Sequence, residues 1–267
     1  MSNIFSRILF QSALYLLTAS LLVGADLRWA SAQAVSPLEP PKWSVGDWWT
    51  VECQVYDSGK TVKGPVPPGW RPKQVWRFQV EGIENIEDQP YFMVSIKPQG
   101  DNKCPYWFRY WFRESDRHIG RQELHHPSAT AGKKGNIGPP VVRKDFSPAS
   151  AGPFFGDQFP SLPLTMPLFR SDQPFMPFSS RRGKFDIHQE VGGVPAMKFM
   201  GGSEAPLLKE DAPITPDANR LVKITATSNN VEQQVWNPAH PWCVYGERVQ
   251  NDKPSRRYWL VESGRLD

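Results

Sequence analysis

The sequence predicts an all-β protein, an antiparallel meander or half-barrel of about ten strands with a long Pro-rich arm packed on it. Three observations carry that expectation. From residue 35 onward, apolar residues recur with a period of two. No window of a dozen residues keeps a helical stripe free of Pro or Gly. Turn residues divide the alternating runs at hairpin spacing.

Residues 1–34 precede that pattern and read as a signal peptide. Arg7 supplies the positive region, Ile8 to Val23 the apolar one, and Ser31-Ala32-Gln33-Ala34 the small residues that a signal peptidase pocket accepts, with cleavage expected after Ala34. An uncleaved anchor is the competing reading, because Ile8 to Ala25 approaches the ~18 residues at which a spanning helix becomes a candidate. Dilution of the run by Gln11, Ser12, Thr18 and Ser20 favours the signal. A lipid anchor needs a cysteine directly after the apolar run, and the first cysteine is Cys53. The expected compartment is therefore the periplasm or the extracellular medium, with membrane association only if the segment stays on.

Residues 35–267 read as a single β domain, long enough to bury a core without a cysteine framework. From Trp48 to Tyr56, Trp49, Val51, Cys53 and Val55 alternate with polar residues, the pattern of a half-buried strand. Gln74 to Val80 and Tyr91 to Lys97 form a hairpin around the acidic turn Glu84 to Gln89. Cys104 to Phe112 carries Cys104, Tyr106, Phe108, Tyr110 and Phe112 on one face, which is core, and the chain returns through His118 to Leu124. Between residues 127 and 182 the pattern breaks. Prolines at 139, 140, 148, 153, 160, 163, 167, 174 and 177 cannot join a ladder, so 127–144 reads as a flexible loop and 145–178 as an ordered, strandless arm rich in Phe, Leu and Met. Strands resume at Phe185 to Val191, with Gly192-Gly193 as a hairpin turn into Val194 to Met200. After a second loop come Leu221 to Thr227, Val231 to Trp236, Trp242 to Val249 and Arg256 to Glu262.

The formal net charge of +4 falls to +3 once Arg7, Asp26 and Arg28 leave with the signal, and Lys and Arg do not cluster beyond pairs such as Arg256-Arg257. That balance argues against a nucleic-acid partner. Three cysteines are too few for a scaffold or a zinc site; in an oxidising compartment one bridge plus one thiol is expected, with Cys53 and Cys104 as the pair because both face inward. Three buried thiols with no bridge is the equal alternative.

Familiar catalytic signatures are absent: there is no G-x-S-x-G, P-loop, G-x-G-x-x-G, H-E-x-x-H or C-x-x-C. No cofactor and no metal is expected. The candidate ligand surface is the outward face of the Cys104 to Phe112 strand, where Trp107, Arg109, Trp111 and Arg113 alternate and indoles beside guanidinium groups can grip sugars, aromatic ligands or a partner chain. Phe155, Phe159 and Phe169 of the arm complete the candidate set. The plainer reading is that the arm covers that face as a second layer. Asp186, His188 and Glu190 share a strand face that also suits simple exposure, and His125-His126 point to opposite faces. His240, between Pro238 and Pro241, reads as part of a rigid corner, and no pattern places it as a base for Cys243.

The mature chain opens Trp43-Ser44-Val45-Gly46-Asp47-Trp48-Trp49-Thr50-Val51 and closes on Gln234-Val235-Trp236-Asn237-Pro238, Pro241-Trp242 and Tyr245-Gly246-Glu247. It resembles a group of uncharacterised exported bacterial β proteins that begin with a W-x-V-G-D-x-W-x-V strand. What the resemblance implies is an antiparallel half-barrel, similar to that of periplasmic lipoprotein carriers, and no known activity. The function expected is a non-catalytic binding protein with an apolar cleft for a lipid-like or aromatic ligand. A structural or interaction protein of the cell envelope is the alternative, and an enzyme ranks third because no acid, base and nucleophile assemble from the strand pattern.

Overall fold

A computed structural model describes residues 38–61, 64–65, 68–125, 141–146, 154–155, 159, 161–170, 175–180, 183–193, 219–227 and 230–266. In chain order the strands are β1 (Asp47–Asp57), β2 (Lys60–Thr61), β3 (Gly64–Pro65), β4 (Gly69–Trp70), β5 (Gln74–Ile86), β6 (Gln89–Gln99), β7 (Trp107–Arg113), β8 (Ile119–His125) and β9 (Val141–Asp145). They continue with β10 (Phe154–Phe155), β11 (Thr165–Met166), β12 (Phe175–Ser180), β13 (Gly183–Gly193), β14 (Arg220–Thr227), β15 (Asn230–Trp236), β16 (Tyr245–Gln250) and β17 (Lys253–Arg265). Among the described residues there is no helix, and so none long and apolar enough to cross a membrane.

One open antiparallel sheet holds thirteen strands in the order β12-β13-β14-β15-β16-β17-β1-β5-β6-β7-β8-β9, with β4 paired beside β1. Its seam joins the two ends of the described chain, since β1 pairs with β17 from Asp47↔Arg265 to Val55↔Arg256. The opening motif explains how the seam is built. Gly46 has φ +92°, and a Cβ there would lie 2.9 Å from the Leu266 carbonyl oxygen, so only glycine lets Leu266 N–H donate to Gly46 C=O at 2.9 Å. Asp47 accepts from Ser44 N–H at 2.7 Å and from Arg265 Nε at 2.6 Å. Away from the seam the chain meanders in both directions through tight hairpins. Glu87-Asp88 and Asn251-Asp252 each take positive φ, the mirror-image turn geometry that matches strand twist.

The sheet curls around its inner face. Six strand spacings separate β15 from β7, about 29 Å if the sheet were flat. Yet Trp242 reaches both, with its ring centroid 5.9 Å from Trp236 of β15 and 6.4 Å from Phe112 of β7. Trp43 and Trp49 stack with it at 6.2 and 5.5 Å, so a tryptophan cluster fills the middle of the half-barrel. The period-two reading selected the inward residues correctly: Trp49, Val51, Trp76, Phe78, Val94, Ile96, Phe108 and Phe112 are all buried in one core. Burial of these large side chains, at about 1.5–3 kcal/mol each, is the main force holding the sheet curved.

Of the proline-rich middle, Phe159 and residues within 161–170 pack on this inner face. Leu162, Leu164, Met166 and Phe169 join the core. Polar tethers fix the segment: Trp76 Nε1 donates to Ser161 C=O at 2.7 Å, and the Gln189 amide bonds both Leu168 N–H and C=O at 2.8 Å.

Four expectations need correction. The middle is not strandless: β10 and β11 pair as a miniature hairpin, and β12 and β9 are the two edges of the large sheet. Pro177 lies within β12, opposite Asp186, which is tolerated because an edge strand leaves one row of its N–H groups outside the ladder. Val141–Asp145, of which residues 141–144 read as flexible loop, pairs with β8. Gly192 and Gly193 do not turn the chain but extend β13 against β14, opposite Leu221 and Arg220; Val194 to Met200 lie outside the described residues. Finally, Cys53, Cys104 and Cys243 are free thiols, so the Cys53–Cys104 bridge is not formed. Facing inward does not make two residues neighbours. Cys53 sits between Gln74 and Tyr258 in the ladder, whereas Cys104 precedes β7, which β5 and β6 separate from β1.

Candidate functional site

The two parts of the predicted ligand set fall on opposite faces. Trp107, Arg109, Trp111 and Arg113 lie on the outer face of β7, and Phe159 and Phe169 on the inner one, where Phe159 packs 4.8 Å from Phe108 and Phe169 5.1 Å from Trp236. Phe155 lies in β10, and its side chain is outside the described residues.

A lattice of charges, rather than the arm, lies over the described part of the outer face. Arg109 bonds Glu81 at 2.9 Å and reaches Glu123 at 3.7 Å. Trp111 Nε1 donates to Glu84 at 2.8 Å, and Arg121 bridges Glu84 and Asp145 beside the Trp111 ring. Arg113 pairs with Asp116 at 2.5 Å. Trp107 stacks on His125 at 3.5 Å, and burial there lowers the imidazole's pKa against the pull of Glu123. Each guanidinium of the set thus has a carboxylate of its own.

The other chemical candidates do not assemble. His188 and Glu190 lie 3.4 Å apart on an exposed face beside Lys223. No group of three metal-ligating side chains occurs among the described residues. His240 is half-buried at its corner, and burial lowers its pKa. The Cys243 thiol donates to Tyr245 C=O at 2.7 Å, and burial pushes it far above the ordinary thiol range, the reverse of what a nucleophile needs.

The site that does assemble lies on the inner face of β15, β16 and β17. Glu232 and Arg248 are directly opposite in the ladder, as are Arg248 and Arg256, so one inward row carries all three charges. Glu232, at 0 % exposure, accepts from Arg248 Nε at 2.7 Å, from Arg256 Nη2 at 3.0 and 3.1 Å and from the Tyr258 hydroxyl at 2.6 Å. Burial opposes its ionisation, but Arg256 and Arg248 prevail and hold its pKa at about 2. Above, Thr165 of the arm accepts on its hydroxyl oxygen from Arg248 at 3.0 Å and Arg256 at 2.7 Å, and its carbonyl accepts from Gln234 at 2.9 Å. Arg256 also donates to Leu162 C=O at 2.9 Å. Beside this network, burial pushes the Cys53 thiol up to about 12.

A cavity of about 370 Å³ adjoins the network at the end of the inner face, lined by Val55, Tyr56, Asn230, Arg248, Gln250, Ser255 and Arg256. Two buried polar atoms in that lining, Arg256 Nε and Asn230 Oδ1, make no hydrogen bond among the described residues. Such orphans are rare, because a buried donor or acceptor left unmade costs about 1–3 kcal/mol.

Sequence reasoning missed this network. Glu232 and Gln234 look like the solvent face of a strand, and Arg256-Arg257 like a surface pair. The available signal was parity: Glu232 and Gln234 share the side of β15 that carries Trp236, and Arg256 shares the side of β17 that carries Tyr258.

No protein-family model matches the chain, and no curated protein matches it in sequence. Among solved structures it is similar to a candidate lipoprotein from Parabacteroides distasonis, at 10% identity and a TM-score of 0.30, covering 85% of this chain and 99% of that one. At that TM-score the likeness carries no argument about fold or function.

Proposed function

We propose that the chain is an exported, non-catalytic binding protein that takes one small ligand in the cavity at the end of its inner face. The observation that carries the reading is the pairing of that 370 Å³ cavity with two unsatisfied buried polar atoms in its lining. Ligand sites are concave and hold a few placed polar groups on a rigid scaffold, and the ladder of β15, β16 and β17 supplies the scaffold. The titratable groups of the network argue against catalysis: Glu232 accepts from Arg248, Arg256, Tyr258 and Gln234, and burial holds the thiols of Cys53 and Cys243 in their neutral form. Export rests on residues 1–34, with the small-residue cleavage site before Val35.

A lipid-like or aromatic ligand is the second reading, favoured by the apolar character of the groove that Leu162, Leu164, Met166 and Phe169 occupy. Such a ligand would have to displace the arm. Native mass spectrometry of protein purified from its own compartment distinguishes the outcomes. A bound small molecule supports the proposal, and one whose release coincides with protease sensitivity of residues 159–170 supports the second reading. A protein that is empty and forms a large oligomer defeats both in favour of an envelope interaction role, for which the exposed edge strand β9 with Val141 and Val142 is the surface.

A further inference from the structure

We infer that the cavity beside the buried arginine row takes a compact polyhydroxylated ring, a monosaccharide or cyclitol, held through Arg256 Nε and Asn230 Oδ1. This inference rests on the binding-protein reading and specifies its ligand. Hydrogen-bonding need comes first. Arg256 is 3 % exposed; its Nη atoms donate to Leu162, Thr165 and Glu232, and its Nε is a buried donor that meets no acceptor among the described residues. Asn230 Oδ1 is the reverse, a buried acceptor that meets no donor among them. Ser255 adds a second acceptor, since its hydroxyl donates to Arg248 C=O at 3.2 Å and its oxygen keeps a lone pair for a further donor. A ligand that answers these groups both donates and accepts. A carboxylate only accepts and an alkyl chain does neither, whereas every hydroxyl does both.

Spacing comes second. Arg256 lies on β17 and Asn230 on β15, with β16 between them, so their strands are about 10 Å apart and the two needs arise at separate places in the lining. A single amide group carries its donor and acceptor side by side, and a fatty acid carries its polar atoms at one end. A ring substituted with hydroxyls presents them around its whole edge. Val55 and Tyr56 supply apolar lining against which the C–H surface of such a ring can pack. Size comes third: about 370 Å³ is far more than one bridging water requires and lies at the small end of ligand sites, suited to a single ring rather than a long chain.

Calorimetric titration of the full chain with a panel of rings tests the inference. The panel holds the common aldohexoses and aldopentoses, myo-inositol, and the six-membered carbon ring reduced to one hydroxyl (cyclohexanol) or to a lone carboxylate (cyclohexanecarboxylate). At least one sugar or inositol is expected to bind, and cyclohexanol and cyclohexanecarboxylate to bind at least tenfold more weakly. Asn230→Leu is close in size, lies at the first residue of β15 and removes the orphaned acceptor, so the affinity for the bound ring is expected to fall by roughly tenfold. The empty variant should melt at or above the wild-type temperature, because a buried acceptor without a donor is gone. An unchanged affinity in Asn230→Leu, or a variant that melts well below wild type and so reports a structural role, overturns the inference. Tighter binding of cyclohexanol or cyclohexanecarboxylate than of every sugar and inositol overturns the ligand class and leaves a binding protein. Silence across the panel, with a small molecule still present by native mass spectrometry, overturns the class in the same way, whereas a protein that is empty and silent holds only water in the cavity and defeats the binding reading itself.

Discussion

Replacing Glu232 by glutamine removes the one carboxylate that two buried guanidinium groups share. Glu232 is 0 % exposed, and the side chains of Arg248 and Arg256 are 11 % and 3 % exposed, so solvent screens the triad little. The carboxyl has a folded pKa of about 2 against an ordinary value of 4.5. At about 1.4 kcal/mol per unit, that difference corresponds to roughly 3 kcal/mol of stability at neutral pH. The sign follows from the depressed value: the contribution is complete above pH 4.5 and is lost as pH falls from there through 2. Removing one member of a buried ion group costs about 3–5 kcal/mol by mutation, which agrees. Urea unfolding followed by tryptophan fluorescence, at pH 7 and at steps from pH 5 to pH 2, measures both quantities. The wild-type chain is expected to exceed Glu232→Gln by roughly 3 kcal/mol at pH 7, with the gap closing across the acid range. Other depressed carboxyls such as Asp116 act in both proteins, so the difference isolates Glu232. A gap under about 1 kcal/mol at pH 7, or acid profiles that run parallel, would refute the reasoning.

Four further outcomes are expected. Gly246→Ala places a Cβ 2.2 Å from Cζ of the buried Tyr258 ring and should cost roughly 1–3 kcal/mol by thermal unfolding. Gly82→Ala, whose nearest neighbour is the flexible Met93 Cε at 3.6 Å, should stay within about 0.5 kcal/mol of wild type. Trp242→Ala should lose about 3–5 kcal/mol, because that ring contacts Trp43, Trp49, Phe78 and Trp236; Trp242→Phe should lose less, since the indole N–H makes no bond among the described residues. Alkylation of the unreduced native protein should modify the half-buried Cys104 first and reach Cys53 and Cys243 only in denaturant, and a Cys53–Cys104 peptide in the mass map would refute the free-thiol state.

Most of the sheet is legible in the sequence because its strands are long and buried on one face, where alternation is unambiguous. β1, β5, β6, β7, β8, β14, β15 and β17 all begin or end within a few residues of their period-two runs. The edges were not legible. β9 is five residues long with every side chain exposed, so no apolar alternation marks it, and β12 carries Pro177, which local chemistry excludes from an interior strand. An edge strand answers to one neighbour only, and its sequence is correspondingly permissive. The same holds for Gly192-Gly193: two glycines suit a turn, yet pairing with Leu221 and Arg220 keeps them extended, a tertiary preference no local rule contains.

The candidate site was hidden for a different reason. Local rules assign charged residues to solvent, and Glu232, Arg248 and Arg256 violate that assignment together or not at all, since each is tolerable in the interior only because the other two are there. Such a triad cannot be inferred one residue at a time. It becomes visible only when hairpin register sets Glu232 opposite Arg248 and Arg248 opposite Arg256. For the outer-face candidates the converse argument holds. Trp107, Arg109, Trp111 and Arg113 look like a ligand surface when read along one strand, but the register of β8 brings Glu123 opposite Arg109 and Arg121 opposite Trp111, and Glu81 and Glu84 of β5 complete the pairing. On the outer face Arg109, Arg113 and Arg121 meet carboxylates within the sheet, whereas on the inner face two guanidinium groups share Glu232 beside a cavity lined by two unsatisfied polar atoms. That contrast, set by the register of the hairpins, is what turns the functional reading from the tryptophan face to the buried arginine row.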